Sequence, residues 1–252
     1  KTHTKIALVI RKEKNRLRTY FHIGTGNYNS KTSKTYTDIG LLSCQPELGQ
    51  DLIELFNYLT GFAKQQSYRK LLVAPVTLRH GIEKLIKREI EYAKNGLPAE
   101  IIAKMNSLVD PEIIKLLYKA SQEGVKIELI VRGMCCLYPQ KKGLSENIKV
   151  TSIIGRFLEH SRIFWFNNNG HSEVFIGSAD WMRRNLDRRV EAVTPIEDNK
   201  IKKELKHLLD CYLEDNQYSW NMQSDGSYKK NQELNNKKRY IQEKIIKLYK
   251  KE

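Results

Sequence analysis

From Tyr68 onward the chain alternates between two periodicities, and that alternation restricts the fold more than any other feature. Lys70 to Ala74 is a short apolar run of strand length, whereas Leu78 to Lys94 carries apolar residues at helical spacing and stops at Asn95-Gly96, a helix-ending signal. Ile101 to Leu108 reads as a strand. Asp110-Pro111 is an N-cap followed by the proline that a first helical turn tolerates, and the helix it opens runs to Gly124. Val125 to Val131 is the next strand. This order predicts a mostly parallel sheet with helices on its faces, because parallel neighbours need a crossover long enough for a helix. Lys149 to Ile154, Arg162 to Phe166, Val174 to Gly177 and Val190 to Thr194 supply further strands and Ile201 to Leu213 a helix, so that residues 67–228 form one α/β domain.

Ahead of this domain, Lys5 to Ile10 reads as a buried strand and Leu17 to Ile23 as its hairpin partner, with Lys12 to Arg16 as the polar turn. Gly24-Thr25-Gly26-Asn27 ends the hairpin where missing Cβ atoms let the backbone come close to another group. Residues 47–63, with Leu48, Leu52, Leu55, Phe56 and Leu59, read as a closing helix. Residues 1–66 are short for a domain and open directly on a strand, so they are expected to be the C-terminal part of a larger one, and the chain a fragment of a longer protein.

Charge adds a second constraint. The net charge is +15 over 252 residues, yet residues 1–36 hold nine Lys or Arg against one acid and residues 229–252 nine against three. The stretch between them is almost neutral, which argues against a uniformly basic nucleic-acid shell. The basic tail, residues 229–252, has Leu234, Ile241, Ile245 and Leu248 at helical spacing, as expected of an amphipathic helix that packs on its own protein or docks to a polyanion or another domain. No apolar run reaches the roughly 18 residues of a membrane span, and Lys1-Thr2-His3-Thr4-Lys5 lacks a signal-peptide core. A cytoplasmic protein is expected, with peripheral membrane association left open. Cys44, Cys135, Cys136 and Cys211 have no metal-binding spacing and read as free thiols.

The chemistry lies in a repeat. His3-Thr4-Lys5, a strand, a turn, a strand and Gly24-Thr25-Gly26-Asn27 is echoed by His160-Ser161-Arg162, Ile163 to Phe166, a turn, Val174 to Ile176 and Gly177-Ser178-Ala179-Asp180. On an extended strand the histidine and the base two positions later share a face, so each pair can meet one anion. An imidazole can attack phosphorus or pass a proton while Lys or Arg neutralises phosphate oxygens. His22 sits beside the glycine-rich turn and either lines the same site or only fixes the turn. Arg132 ends a strand where α/β sheets bind ligands. Arg183, Arg184, Arg188 and Arg189 are either a solvated face or polyanion contacts, Trp181-Met182 is expected in the core, and His80, His171 and His207 on the surface.

This doubled histidine–base pattern resembles the phospholipase D superfamily, whose two half-sites face each other across a phosphate. The acid that family carries about five residues beyond the base is Ile10 in one copy and Asn167 in the other, and the second base is Arg162, which disfavours a phosphodiesterase. A more extensive resemblance rests on His22-Ile23-Gly24-Thr25-Gly26-Asn27-Tyr28-Asn29, Tyr36-Thr37-Asp38, Leu108-Val109-Asp110, Val131-Arg132-Gly133-Met134-Cys135, Leu158-Glu159-His160 and Ser178-Ala179-Asp180-Trp181-Met182. In that order these strings resemble the C-terminal half of the type-1 polyphosphate kinases, which pass the terminal phosphate of ATP reversibly to inorganic polyphosphate through a phosphohistidine.

The resemblance implies a phospholipase D-like α/β fold: a truncated first half-domain, then a mixed, mostly parallel sheet domain with flanking helices. It implies His3 as the phosphorylated histidine, His160 as its catalytic partner, Lys5, Asn27, Arg132 and Arg162 at phosphate, and Tyr36, Arg132 and His160 at nucleotide, with His22 and Asp180 as further candidates. ATP or ADP and polyphosphate are the implied partners, with no nucleic acid. Magnesium is the implied cofactor, its ligands upstream of this chain and none within it, and the intact enzyme is implied to be a homo-oligomer. The alternatives are a phospholipase D-type phosphodiesterase or nuclease and an inactive polyanion-binding module.

Overall fold

The computed structural model describes residues 1–64, 66–231 and 238–249. Its first part begins with the expected hairpin, β1 (Lys5–Glu13) antiparallel to β2 (Arg16–Gly24), Lys5 standing opposite Gly24. After a two-residue strand, β3 (Tyr36–Thr37), β4 (Gly40–Ser43) joins β2, and α1 (Pro46–Leu59) covers one face of this small sheet. Phe21 and Ile23 pack there against Leu48, Leu52 and Leu55. The expectation of a buried first strand is corrected in part: Ile6 and Leu8 join that core, while Val9 and Ile10 are more than half exposed. A strand covered on one side can bury only alternate residues, which accounts for Val9; Ile10 shares the face of Ile6 and Leu8 and is exposed nonetheless.

The second part follows as β5 (Leu72–Ala74), α2 (Leu78–Lys94), β6 (Glu100–Met105), α3 (Pro111–Gln122), β7 (Lys126–Val131) and β8 (Ile148–Ile153), the alternation read from the sequence. Then come β9 (Leu158–Glu159), β10 (Ile163–Phe166), β11 (Glu173–Gly177), α4 (Arg183–Asp187), β12 (Glu191–Ile196), α5 (Asn199–Leu213), β13 (Ser219–Met222), β14 (Tyr228–Lys230) and α6 (Ile241–Tyr249). The helix starts are those the caps dictate: Asp110 accepts from the Ile113 amide at 3.1 Å, with Pro111 in the first turn, and Asp198 does the same for α5. Leu234, counted above in the amphipathic tail, lies outside the described residues, and the helix itself starts at Ile241.

Nine strands make one mixed sheet in the order β14-β13-β8-β7-β6-β10-β11-β12-β5. The expectation of a mostly parallel sheet is therefore corrected. Only β6–β7 and β7–β8 pair in parallel, whereas β10 is antiparallel to β6 and β11, and β12 to β11 and β5. Strands β5, β6, β7 and β8 do run the same way, but β10, β11 and β12 are inserted between β5 and β6. Between β10 and β11 the turn is tight: Asn168, Asn169 and Gly170 take φ values of 50°, 51° and 87° and reverse the chain at once, whereas β11 and β12 are joined by a longer connection that includes α4. Helices α2 and α3 bury Ile82, Ile86, Ile113 and Leu117 against one face of the sheet; α5 and α6 bury Leu205, Leu209 and Ile241 against the other.

This topology brings the ends of β6, β7 and β11 and the starts of β10 and β12 to one edge of the sheet. The first part reaches that edge twice. The His3 and Thr4 amides donate to the Val190 carbonyl at 2.8 and 3.1 Å, just before β12, and β3 lies parallel to β9 with Thr37 opposite Glu159. One contact delivers His3 and the other delivers the loop facing His160.

Candidate functional site

His3 precedes β1 and is held by its backbone bond to Val190. Its Nδ1 lies 2.9 Å from Oε2 of Glu191, a fully buried carboxylate at the start of β12. Glu191 also accepts from the Ser178 hydroxyl and, at 2.6 Å, from the Asn185 amide. A carboxylate only accepts, so Nδ1 of His3 carries the proton, and in the neutral imidazole the lone pair is on Nε2. Lys5, at the start of β1 and almost wholly buried, donates to the His3 carbonyl, and burial lowers its pKa to about 8. Glu191, Asp38 and Asp180 oppose that fall and Arg162 adds to it, so Lys5 stands in the field of residues from both half-sites.

His160 lies between β9 and β10, its amide donating to the Thr37 carbonyl at 3.2 Å and its Nδ1 2.8 Å from Oδ1 of Asp38. Burial holds its pKa below the ordinary histidine value, opposed by Asp38 and reinforced by Arg162. The Tyr36 ring centroid is 5.0 Å from the imidazole. The glycine-rich turn is the seat of Asp38: the Thr25 hydroxyl donates to Oδ1 at 2.6 Å, and a Cβ on Gly26 would come within 2.6 Å of the Asp38 carboxyl carbon. Any side chain at residue 26 would push the carboxylate off the histidine.

The two orienting carboxylates are thus exchanged. Asp38, from the first part, orients His160; Glu191, from the second, orients His3. The sequence reading missed both roles by looking five residues beyond each base, and with both carboxylates present their supposed absence no longer counts against hydrolysis. Asp38 stood in a recognised string, Tyr36-Thr37-Asp38, but nothing in the sequence pairs it with a histidine more than a hundred residues away.

Arg162 is tied into the protein on every side. Its Nε and Nη2 each lie 3.2 Å from the two oxygens of Asp180, and its Nη1 donates to the His160 carbonyl at 2.8 Å. The fork expected at phosphate lies on Asp180. Asp180 also accepts from the Asn106 amide at 2.8 Å, and Oδ1 of Asn106 accepts from Nε of Arg132 at 2.6 Å. Asn106, just past β6, was not singled out from the sequence. Arg132, at the end of β7, has only its Nε engaged among the described residues, and burial lowers its pKa against the pull of Asp180. Its two terminal nitrogens are open to a ligand.

Two candidates lie apart. His22 Nδ1 is 2.6 Å from the Tyr28 hydroxyl and its ring packs against Gly24 and Gly40, so it braces the turn. Asn27 is exposed, and its side chain has no hydrogen-bond partner among the described residues. Arg183, Arg184 and Arg188 are exposed, Arg189 is half-buried, and none of the four makes an ion pair among the described residues; Trp181 and Met182 are buried as expected. Asp38, Asp180 and Glu191 are each engaged by several donors, and no group of three or more His, Cys, Asp or Glu converges among the described residues. These residues do not fit a magnesium site. No helix among the described residues is long and apolar enough to cross a membrane.

Fold and site together define an α/β protein with two histidine–base half-sites, drawn from separate parts of the chain and interlocked through exchanged carboxylates. The Polyphosphate kinase C-terminal domain 2 family matches residues 71–242 and the Polyphosphate kinase C-terminal domain 1 family matches residues 1–65. The chain belongs to the polyphosphate kinase family. It is 70% identical over 90% of its length to a polyphosphate kinase of Parasynechococcus marenigrum, covering 32% of that protein, and 52% identical over 91% of its length to one of Dictyostelium discoideum, covering 22%. The crystal structure of polyphosphate kinase from Porphyromonas gingivalis superposes with a TM-score of 0.93 at 37% identity, over 99% of this chain and 39% of that one. The chain spans about a third of the length of the bacterial relatives it matches.

Proposed function

We propose that this chain is the catalytic C-terminal part of an enzyme that moves the terminal phosphate of ATP reversibly to inorganic polyphosphate through a phosphohistidine at His3. The observation that carries the reading is the His3–Glu191 bond, which turns Nε2 outward as the nucleophile, in a residue whose carbonyl accepts from Lys5. Nε2 attacks the terminal phosphorus, a P–N bond forms, and the P–O bond to ADP breaks. An oxygen at the end of a polyphosphate chain then attacks the same phosphorus, and the P–N electron pair returns to the imidazole. The positive charge that develops on His3 is balanced by Glu191 throughout.

Phosphoryl transfer needs positioned cations more than covalent chemistry. Lys5 and the free terminal nitrogens of Arg132 supply them, while Arg162 acts through Asp180 and the His160 carbonyl, and Tyr36 offers a ring for the nucleotide base. His160 is neutral in the empty site; a bound polyanion favours its protonated form, which then donates to the leaving phosphate. Incubating the intact enzyme separately with labelled ATP plus polyphosphate and with DNA tests the reading. Label entering polyphosphate supports it; DNA cleavage without transfer replaces it with the phosphodiesterase reading.

A further inference from the structure

The residues on either side of His160 are gripped from behind by a buried ion pair for which phosphoryl transfer has no use. Lys104, on β6 and 1% exposed, brings Nζ to 3.1 Å of Glu159 Oε2 and donates to the Ser161 hydroxyl at 2.8 Å. One ammonium therefore holds both sequence neighbours of the histidine. Thr37, next to Asp38, donates to Glu159 at 2.8 Å, and the Tyr212 ring lies 4.8 Å from Nζ. Two charges buried this deeply persist only while every partner is in place.

The last partner comes from the far end of the chain. Gln242, on α6 and 3% exposed, accepts from the Phe157 amide at 3.0 Å, donates to the Phe157 carbonyl at 2.8 Å and donates to Glu159 Oε1 at 2.7 Å. Gly155 makes room, since a Cβ there would lie 2.6 Å from Gln242 Oε1. The helix start is fixed by the Ile241 amide on Asp215 at 2.8 Å. A helix packed for stability alone buries an apolar stripe. This one packs Ile241 and Ile245 on the core and also buries an amide whose three bonds all go to Phe157 and Glu159, two of the three residues ahead of His160.

We propose that the C-terminal helix is a positioning device for His160, with Gln242 clamping Phe157 and Glu159 and, through Glu159, Lys104 and Thr37, fixing the β3–β9 pair that carries Asp38 and His160 to each other. The inference rests on the reading of His160 as part of the transfer site. It makes the tail part of the active-site scaffold rather than an appendage.

The test is a cycle in the intact enzyme between Gln242→Leu and His160→Ala, with folding checked by circular dichroism. Gln242→Leu should slow transfer roughly tenfold, the size of one lost hydrogen bond to a charged group. In the His160→Ala background it should cost nothing more, because the group it positions is gone. Two losses that multiply, or no loss at all, would overturn the inference. Gln242→Asn, one methylene too short to span the clamp, should behave like Gln242→Leu and serves if the leucine variant does not fold. If the wild-type enzyme transfers no phosphate, the functional reading above fails on its own. The NMR signal of the His160 ring still decides the positioning: it should move in Gln242→Leu or Gln242→Asn, and an unmoved signal refutes the clamp.

Discussion

Replacing Lys5 by methionine should make the protein more stable and less active. The side chain is buried, and burial lowers its pKa from 10.5 to about 8. A fall of about 2.5 in pKa corresponds to about 3.5 kcal/mol against the charged form, at roughly 1.4 kcal/mol per unit. Methionine keeps the apolar stem and removes the charge, and losing the bond to the His3 carbonyl offsets about 1 kcal/mol of the gain. A net stabilisation of about 2 kcal/mol at pH 7 is expected. The sign of the pH dependence follows from the depressed folded-state pKa. Between about pH 8 and 10.5 the unfolded chain holds a proton that the folded chain has released, so wild-type stability rises with pH across that window. The advantage of Lys5→Met should therefore be largest at pH 7 and vanish by about pH 10.5. Urea unfolding of both proteins at several pH values measures it, and transfer assays should show a loss of tenfold or more, as one charge-assisted contact to phosphate disappears. A methionine variant less stable at pH 7, or one whose advantage does not change with pH, would refute the account of Lys5 as a buried ammonium held for function.

Asp38→Asn keeps an oxygen near His160 but removes the charge that holds the imidazole pKa up, so the pH at which His160 loses its proton should fall, seen by NMR, and transfer should drop by roughly tenfold as a charged hydrogen bond becomes a neutral one. Arg162→Lys loses the fork on Asp180 inside a buried network and should lower stability by about 1–3 kcal/mol in denaturant titration. Arg132→Lys loses only the Nε bond to Asn106 and should cost about 1 kcal/mol of stability, less than Arg162→Lys, while raising KM for nucleotide or polyphosphate. Equal effects of the two substitutions on both readouts would contradict the division of labour between these arginines.

Much of the fold was legible because its signals are local. The helix Leu78–Lys94 falls where its apolar spacing and Asn95-Gly96 put it, and Asp110-Pro111 opens α3 as a cap should. The mixed order of the sheet was not legible, because β10 pairs with β6 across about sixty residues, and the left-handed turn at Asn168 and Asn169 that folds β11 back on β10 is one asparagine permits without demanding. The same division runs through the site. His3 and His160 announce themselves by repetition, whereas their orienting carboxylates, Glu191 and Asp38, come from across the chain, where local sequence carries no trace of the pairing. Arg162 was legible as a site residue but not as a partner of Asp180, since a guanidinium suits a carboxylate and a phosphate equally well. Gln242 had no signal of its own, and its role exists only through the contact with Phe157 and Glu159.

The central claim is that His3 takes the phosphate. Mass spectrometry of the intact enzyme, quenched at alkaline pH after brief mixing with ATP, should find one acid-labile phosphate on the peptide containing His3. His3→Gln should abolish it, and Glu191→Gln should slow its appearance by weakening the bond that orients the ring. A stoichiometric phosphohistidine elsewhere, or an undiminished one in the His3→Gln protein, would contradict the account.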